Sequence, residues 1–254
     1  MTCTILFTQA TLGHAAQLQA QDGTTADYEL SATAGPGIPG AAAGEVRRLP
    51  GVAAVTEVVH TSAWDLSLPR YTAQGMTPHG LGQTLNLDVR AGSLNDLRAG
   101  TVALSTTAAS ELGARIGGRT RLWLGDRTEV SLIVVAVYAR GLGFADITMD
   151  RGLVAAHVDD PLDDIVLITA VPGTARMPAA LSGIARGYPG VRVLDRAGIR
   201  AQEAAQQQAS ARIQYLEMAL IVAFIVIAVI NALTMATAGR AREFALLRAI
   251  NTGQ

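Results

Sequence analysis

The chain contains no lysine. Its 20 basic residues are all arginine, which together with abundant alanine and glycine points to a high-GC genome. Cysteine occurs once, at Cys3, and this excludes a disulfide framework and a thiolate metal site. Aromatic residues make up 4% of the chain, too few for a surface that stacks sugars or single strands. The formal net charge is −1, so no basic surface recommends nucleic acid as a partner. The four histidines, His14, His60, His79 and His157, are widely spaced and form neither an HxxxH nor an HExxH metal pattern. GxSxG, SxxK and Walker A sequences are missing, and Gly141-Leu142-Gly143-Phe144 does not extend to GxGxxG and reads as a loop. The expectation is a protein that is not an enzyme and holds no cofactor or metal of its own. Asp159, Asp160, Asp163 and Asp164 cluster around Pro161 in a calcium-like set, but a solvated turn is the plainer reading. Residues Met1 to Gln21 lack a basic start, and their apolar run Ile5 to Phe7 is too short for a secretory signal. They read as a polar, alanine-rich helix from Gln9 to Gln21.

What is present is one long apolar run. Residues 218 to 239 carry no charge and are bounded by Glu217 and Arg240. At about 1.5 Å per residue they make roughly 33 Å of helix, enough to cross a hydrocarbon core of about 30 Å. The mean hydropathy of +0.30 is high for a soluble protein, and this run explains much of it. Arg240, Arg242 and Arg248 follow the run, whereas Arg212 alone lies close ahead of it. The positive-inside tendency therefore places the C-terminus in the cytoplasm and residues 1 to about 215 outside. Ala228, Ala232 and Ala236 recur every fourth residue, a spacing that lets another helix approach closely, and Asn231 is costly against lipid and should face a partner helix. Upstream, AGIRAQEAAQQQASARIQ (197–214) is polar, helical and unbroken by Gly or Pro after Gly198, and reads as a stalk feeding the apolar run.

Ahead of the stalk, two parts of the chain look like one unit used twice. Asp27 to Val59 runs DYELSAT, a Gly/Pro loop, helical AAAGEVRRL, then Pro50-Gly51-Val52 opening VAAVTEVV. Asp164 to Asp195 runs DIVLITAV, a loop, helical AALSGIARG, then Pro189-Gly190-Val191 opening VRVLD. Two such βαβ halves commonly pair into one four-stranded sheet with helices on one face. Residues 60 to 163 read as a β-rich insert. It holds a strand TVALS (101–105), a helical turn ending at Gly117-Gly118, and a hairpin of RTRLWLG and TEVSLIVVAVYA. The Gly125-Asp126 turn does not supply the usual Asp-Gly order of a type I′ hairpin.

The block MALIVAFIVIAVINALTMATAGRAREFALLRAI resembles the second transmembrane helix, with its cytoplasmic continuation, of the FtsX-like permease family of ABC transporters. The family pattern R-x-R-E-x-A-L-L-R-A-x-G falls on Arg240, Arg242, Glu243, Ala245, Leu246, Leu247, Arg248, Ala249 and Ile250, with Asn251 replacing the glycine. Residues 27 to 195 resemble that family's extracytoplasmic domain, related to the periplasmic core domain of MacB-type permeases. VALSTTAASELGARIGGRTRLWLGDRTEVSLIVVAVYARG carries the likeness, with Gly118 where Asp is common.

The resemblance implies an α+β fold: a MacB-like periplasmic core domain of two βαβ halves, 27–59 and 164–195, with the insert 60–163. It is preceded by a helical segment 1–26 and followed by a stalk 197–217, a transmembrane helix 218–239 and a cytoplasmic segment 240–254. It implies a plasma-membrane permease subunit that pairs with a separate ABC ATP-binding subunit, which would bind the ATP, and that forms a homo- or hetero-dimer with another permease. ATP hydrolysis would be coupled to movement of the outer domain, for export or mechanical transmission. Ala228, Asn231, Ala232 and Ala236 would pack in the membrane, and Arg240, Arg242, Glu243 and Arg248 would orient the segment near the ATPase. Two alternatives are an FtsX-like regulator of a cell-wall hydrolase and a single-span anchored binding domain. A span upstream of Met1 and at least two beyond Gln254 are expected, which would make this sequence a fragment.

Overall fold

A computed structural model describes residues 2–32, 37–65, 70–202, 205 and 218–231. The chain divides into two units, Met1–Arg200 and Ala201–Gln254. The first opens on helix α1 (Thr2–Gly23), longer at both ends than the Gln9–Gln21 expected. Strand β1 (Tyr28–Ala32) leads to α2 (Gly40–Arg47), which buries Ala42, Ala43 and Val46 on one face. Gly51, at φ +88°, turns the chain into β2 (Val52–Trp64), whose 13 residues give it unusual length. β3 (Arg70–Met76), α3 (Leu81–Thr84), β4 (Val89–Gly92) and β5 (Thr101–Ser105) follow. Ser105 starts α4 (Thr106–Glu111), its Oγ accepting from the Ala108 N–H at 3.0 Å.

The expected hairpin is β6 (Arg119–Trp123) against β7 (Glu129–Tyr138), paired antiparallel from Arg119↔Ile133 to Trp123↔Glu129. In the turn it is Arg127, not a glycine, that takes φ +69°. The Asp126 carboxylate offsets that cost by accepting from the Thr128 N–H at 2.9 Å and its hydroxyl at 2.8 Å. β8 (Ile147–Asp150), α5 (Arg151–Ala155), β9 (Ile165–Ala170), α6 (Met177–Ala185) and β10 (Val191–Asp195) complete the series. Residues 196–202 continue as helix.

The two halves interlock. β1 lies between β10 and β9, antiparallel to both, and β9 lies between β1 and β2, so the local order is β10-β1-β9-β2. Each βαβ unit is thus split by a strand of the other, a ferredoxin-like arrangement. α2 and α6 meet over this sheet, and Ala42, Ala43, Val46, Met177 and Leu181 pack on Leu30, Val55, Val166 and Ile168.

The insert closes on itself. From the far half of β2 the order runs β3, β8, β5, β7 and β6, and Trp64↔Trp123 joins β6 back to β2. Within this six-stranded ring β3∥β8 and β5∥β7 are parallel and the other pairs antiparallel. Alternate residues point inward: Leu132 and Val134 from β7, Val102 and Leu104 from β5, Ile147 and Met149 from β8. Burying each such side chain is worth about 1.5–3 kcal/mol, which makes this ring the main apolar reservoir of the insert. β2 is common to sheet and ring and runs unbroken past residue 60.

In the second unit the described residues 218–231 form one helix with exposed side chains, Leu220 at 74% and Phe224 at 75%. Among the described residues no helix is long and apolar enough to cross a membrane. Residues 232–239 of the apolar run, and most of the expected stalk, lie outside the described residues.

Candidate functional site

The histidines stand apart from one another. His60 Nδ1 lies 3.1 Å from Asp164 Oδ2, which also accepts from the His60 backbone N–H at 2.6 Å. His157 Nδ1 lies 2.8 Å from Asp126 Oδ2, and this contact, with the Thr128 bonds, holds the Asp126 carboxyl down at about 2. The aspartates around Pro161 scatter: Asp163 points inward, fully buried, Asp164 turns to His60, and Asp160 accepts from the Leu162 N–H at 3.1 Å. Among the described residues no three His, Cys, Asp or Glu side chains converge as metal ligands. His157–Asp126 sits on a polar cavity of about 330 Å³ at the end of the ring, beside Thr61, Ser62, Trp64 and Arg70. There the Arg70 guanidinium is held by Ser62 Oγ, which accepts from Nε at 3.0 Å and Nη2 at 2.8 Å. It lies over the Trp64 ring at 5.8 Å.

Three junctions of the domain are more densely bonded. Arg196, the first residue after β10, reaches across to the chain's entry. Its Nη2 and Nε donate to the carbonyls of Thr25 (2.6 Å) and Ala26 (3.1 Å), and Nη2 lies 3.2 Å from Asp27 Oδ1. Asp27 Oδ2 in turn accepts from the Ala170 N–H at 3.0 Å. Entry and exit of the domain are therefore fastened to each other.

α1 also docks on the loop between β7 and β8. The Gly143 N–H donates to Gln19 Oε1 at 3.1 Å, and a Cβ on Gly143 would stand 2.5 Å from the Ala20 nitrogen. A Cβ on Gly23 would run into the Phe144 ring. Glycine at 143 is a condition of that contact, and its place in a Gly-Leu-Gly-Phe loop gave no sequence sign of a helix partner.

A second joint lies between the sheet and the ring. Arg151 Nε donates to Asp163 Oδ1 at 2.5 Å and stands 4.0 Å from Glu57 Oε1, while Glu57 Oε2 accepts from Arg47 and from Thr77 Oγ1 (2.9 Å). Burial and the Glu57 charge push the Asp163 carboxyl up to about 6, against the pull of Arg151. Burial alone would lower Arg151, but Asp163, Glu57 and Asp150 outweigh it and raise it.

Of the residues singled out in the sequence, Ala228 and Asn231 lie on the described helix, three positions apart and so on one face. Ala232, Ala236, Arg240, Arg242, Glu243 and Arg248 lie outside the described residues.

No family model and no curated protein matches the chain. Solved structures do. The extracellular domain of the noncanonic ABC-type transporter YknZ from Gram-positive bacteria is 16% identical with a TM-score of 0.50, covering 66% of this chain and 98% of that one. The periplasmic region of MacB from Actinobacillus actinomycetemcomitans is 11% identical with a TM-score of 0.53, covering 71% of this chain and 93% of that one. Two interlocked βαβ units with a β-rich insert thus give this chain the fold of the MacB-like periplasmic domain.

Proposed function

We propose that the chain is the extracytoplasmic domain, with one membrane-embedded helix, of an FtsX/MacB-type ABC permease subunit. A partner ABC ATP-binding subunit supplies ATP hydrolysis, and the domain moves in response, for export or mechanical transmission across the plasma membrane. The observation that carries this reading is the domain's fold together with its wiring. The segment that leads from α1 into β1 and the helix that follows β10 are bonded to each other at Arg196, beside the edge of the sheet. The apolar helix 218–231 and the arginine-bearing segment that follows support the membrane position and the cytoplasmic end. In this reading Asn231 faces another helix of a permease dimer, and Arg240, Arg242, Glu243 and Arg248 orient the chain toward the ATPase.

The test is isolation of the full chain from membranes and measurement of a co-purifying ABC ATP-binding subunit. The double variant Arg240→Glu, Arg248→Glu should lower that recovery by about tenfold without releasing the chain from the membrane. Asn231→Leu should stay membrane-inserted while ATPase activity loses its dependence on the chain. A chain recovered in the soluble fraction, or one that never retains an ATP-binding subunit, overturns the proposal.

A further inference from the structure

Asp163 Oδ2 is buried and has no hydrogen-bond partner, although its side chain is fully shielded from solvent. An orphaned oxygen on a buried carboxylate is costly, and native proteins rarely leave one so. The other oxygen, Oδ1, accepts from Arg151 Nε, and that same nitrogen stands 4.0 Å from Glu57 Oε1. Arg151 is therefore shared by two carboxylates, Asp163 and Glu57, the latter held by Arg47 as well.

The charged groups that face this point can be counted by element. β2 contributes Glu57, α2 contributes Arg47, α5 contributes Arg151, and the residue capping α5 is Asp150, whose charge acts on Arg151. The pair His60–Asp164 next along the chain is half exposed and turned to solvent. Two arginines thus meet three carboxylates, and one proton makes the cluster neutral.

We propose that this proton resides on Asp163 Oδ2 and is donated in a hydrogen bond to the Glu57 carboxylate, making the seam between the split sheet and the ring a proton-binding site. The proton supplies the partner that Oδ2 otherwise lacks. When it leaves for solvent, Asp163 and Glu57 both carry charge beside the half-buried Arg151 guanidinium they share. The strain falls on the mutual backbone bonds of Asp163 and Ile38, 3.0 and 2.7 Å, which pin the segment entering α2. Acid closes the seam and alkali loosens it. Burial as the leading cause of the raised Asp163 value agrees with this direction.

The test is a carboxyl ¹³C NMR titration of the full chain labelled at aspartate, with Asp163→Asn identifying the resonance. Asp163 should titrate near 6, well above its ordinary 3.8. In parallel, the thermal midpoint of the unaltered chain should fall as pH rises from about 4 to about 7. Asp163→Asn, whose amide donates to Glu57 as the protonated acid would, should lose that slope and match or exceed the parent at about pH 8. A midpoint at or below 3.8, or a variant that keeps the parent's slope, overturns the proposal. If the variant does not fold, the fraction of aspartate resonances titrating near 6 in the unaltered chain decides alone: none overturns it.

Discussion

Arg196 and Asp27 join the end of the domain to its beginning, with Nη2 3.2 Å from Oδ1 and two further bonds from the same guanidinium to the carbonyls of Thr25 and Ala26. The pair is partly exposed, and its charge attraction alone is worth about 0–1 kcal/mol. The carbonyl bonds add a geometric requirement beyond that, because Lys in place of Arg cannot make the same planar fork.

Arg196→Lys should therefore cost about 0.5–1.5 kcal/mol in chemical denaturation, nearly as much as Arg196→Ala. Equal stability of the lysine variant and the parent would show that charge and not geometry holds this junction.

Gly143→Val should detach α1 from the loop between β7 and β8, since even a Cβ would stand 2.5 Å from the Ala20 nitrogen. We expect faster proteolysis in α1 with the ring intact, read by limited digestion and mass spectrometry. Gly183→Val, on α6, where a Cβ meets nothing within 4 Å, is the control and should not expose α1.

Two tyrosines should answer oppositely to phenylalanine. Tyr138 is fully buried, donates to the Ala145 carbonyl at 2.5 Å, and lies 3.1 Å from Thr148 Oγ1. Tyr138→Phe strands that carbonyl and should cost about 1–3 kcal/mol. The Tyr71 hydroxyl is buried without a partner, and burial, with the Glu111 carboxylate adding to it, pushes the group up to about 12. Tyr71→Phe should be within about 0.5 kcal/mol of the parent or more stable. Denaturation midpoints of the two variants, measured together, check the contrast.

On the acid side Asp126 sets a second window, opposite in sign to that of Asp163. Its folded value of about 2 lies below the ordinary 3.8, chiefly through His157, so its contribution is present above about pH 4 and lost as pH falls toward 2. Asp126→Asn should flatten the fall in thermal midpoint over that window and leave the window between about 4 and 6 unchanged.

The repeat was legible because both copies needed the same turn. Gly51 and Gly190 each follow a proline and take φ +88° and +82°, values that L side chains rarely adopt, so glycine marks both positions. The β6–β7 hairpin was legible from its alternation alone, although Arg127 occupies the left-handed position. Ring closure was not legible: it depends on Trp64 meeting Trp123 across 59 positions, and no local pattern records a long-range pair. Nor was the Asp163 joint. Four aspartates around a proline read as a solvated turn, and only the fold shows that one of them points inward to Arg151. The α1 contact leaves no mark in the sequence because its partner, Gly143, contributes the absence of a side chain.

β2 has one further consequence. Its first half is hydrogen-bonded into the split sheet through β9 and its second half into the ring through β3 and β6. Neither module owns all of its strands, so neither can melt while the other remains whole. The sheet and its insert should unfold as a single cooperative body, with coincident transitions whichever module carries the probe.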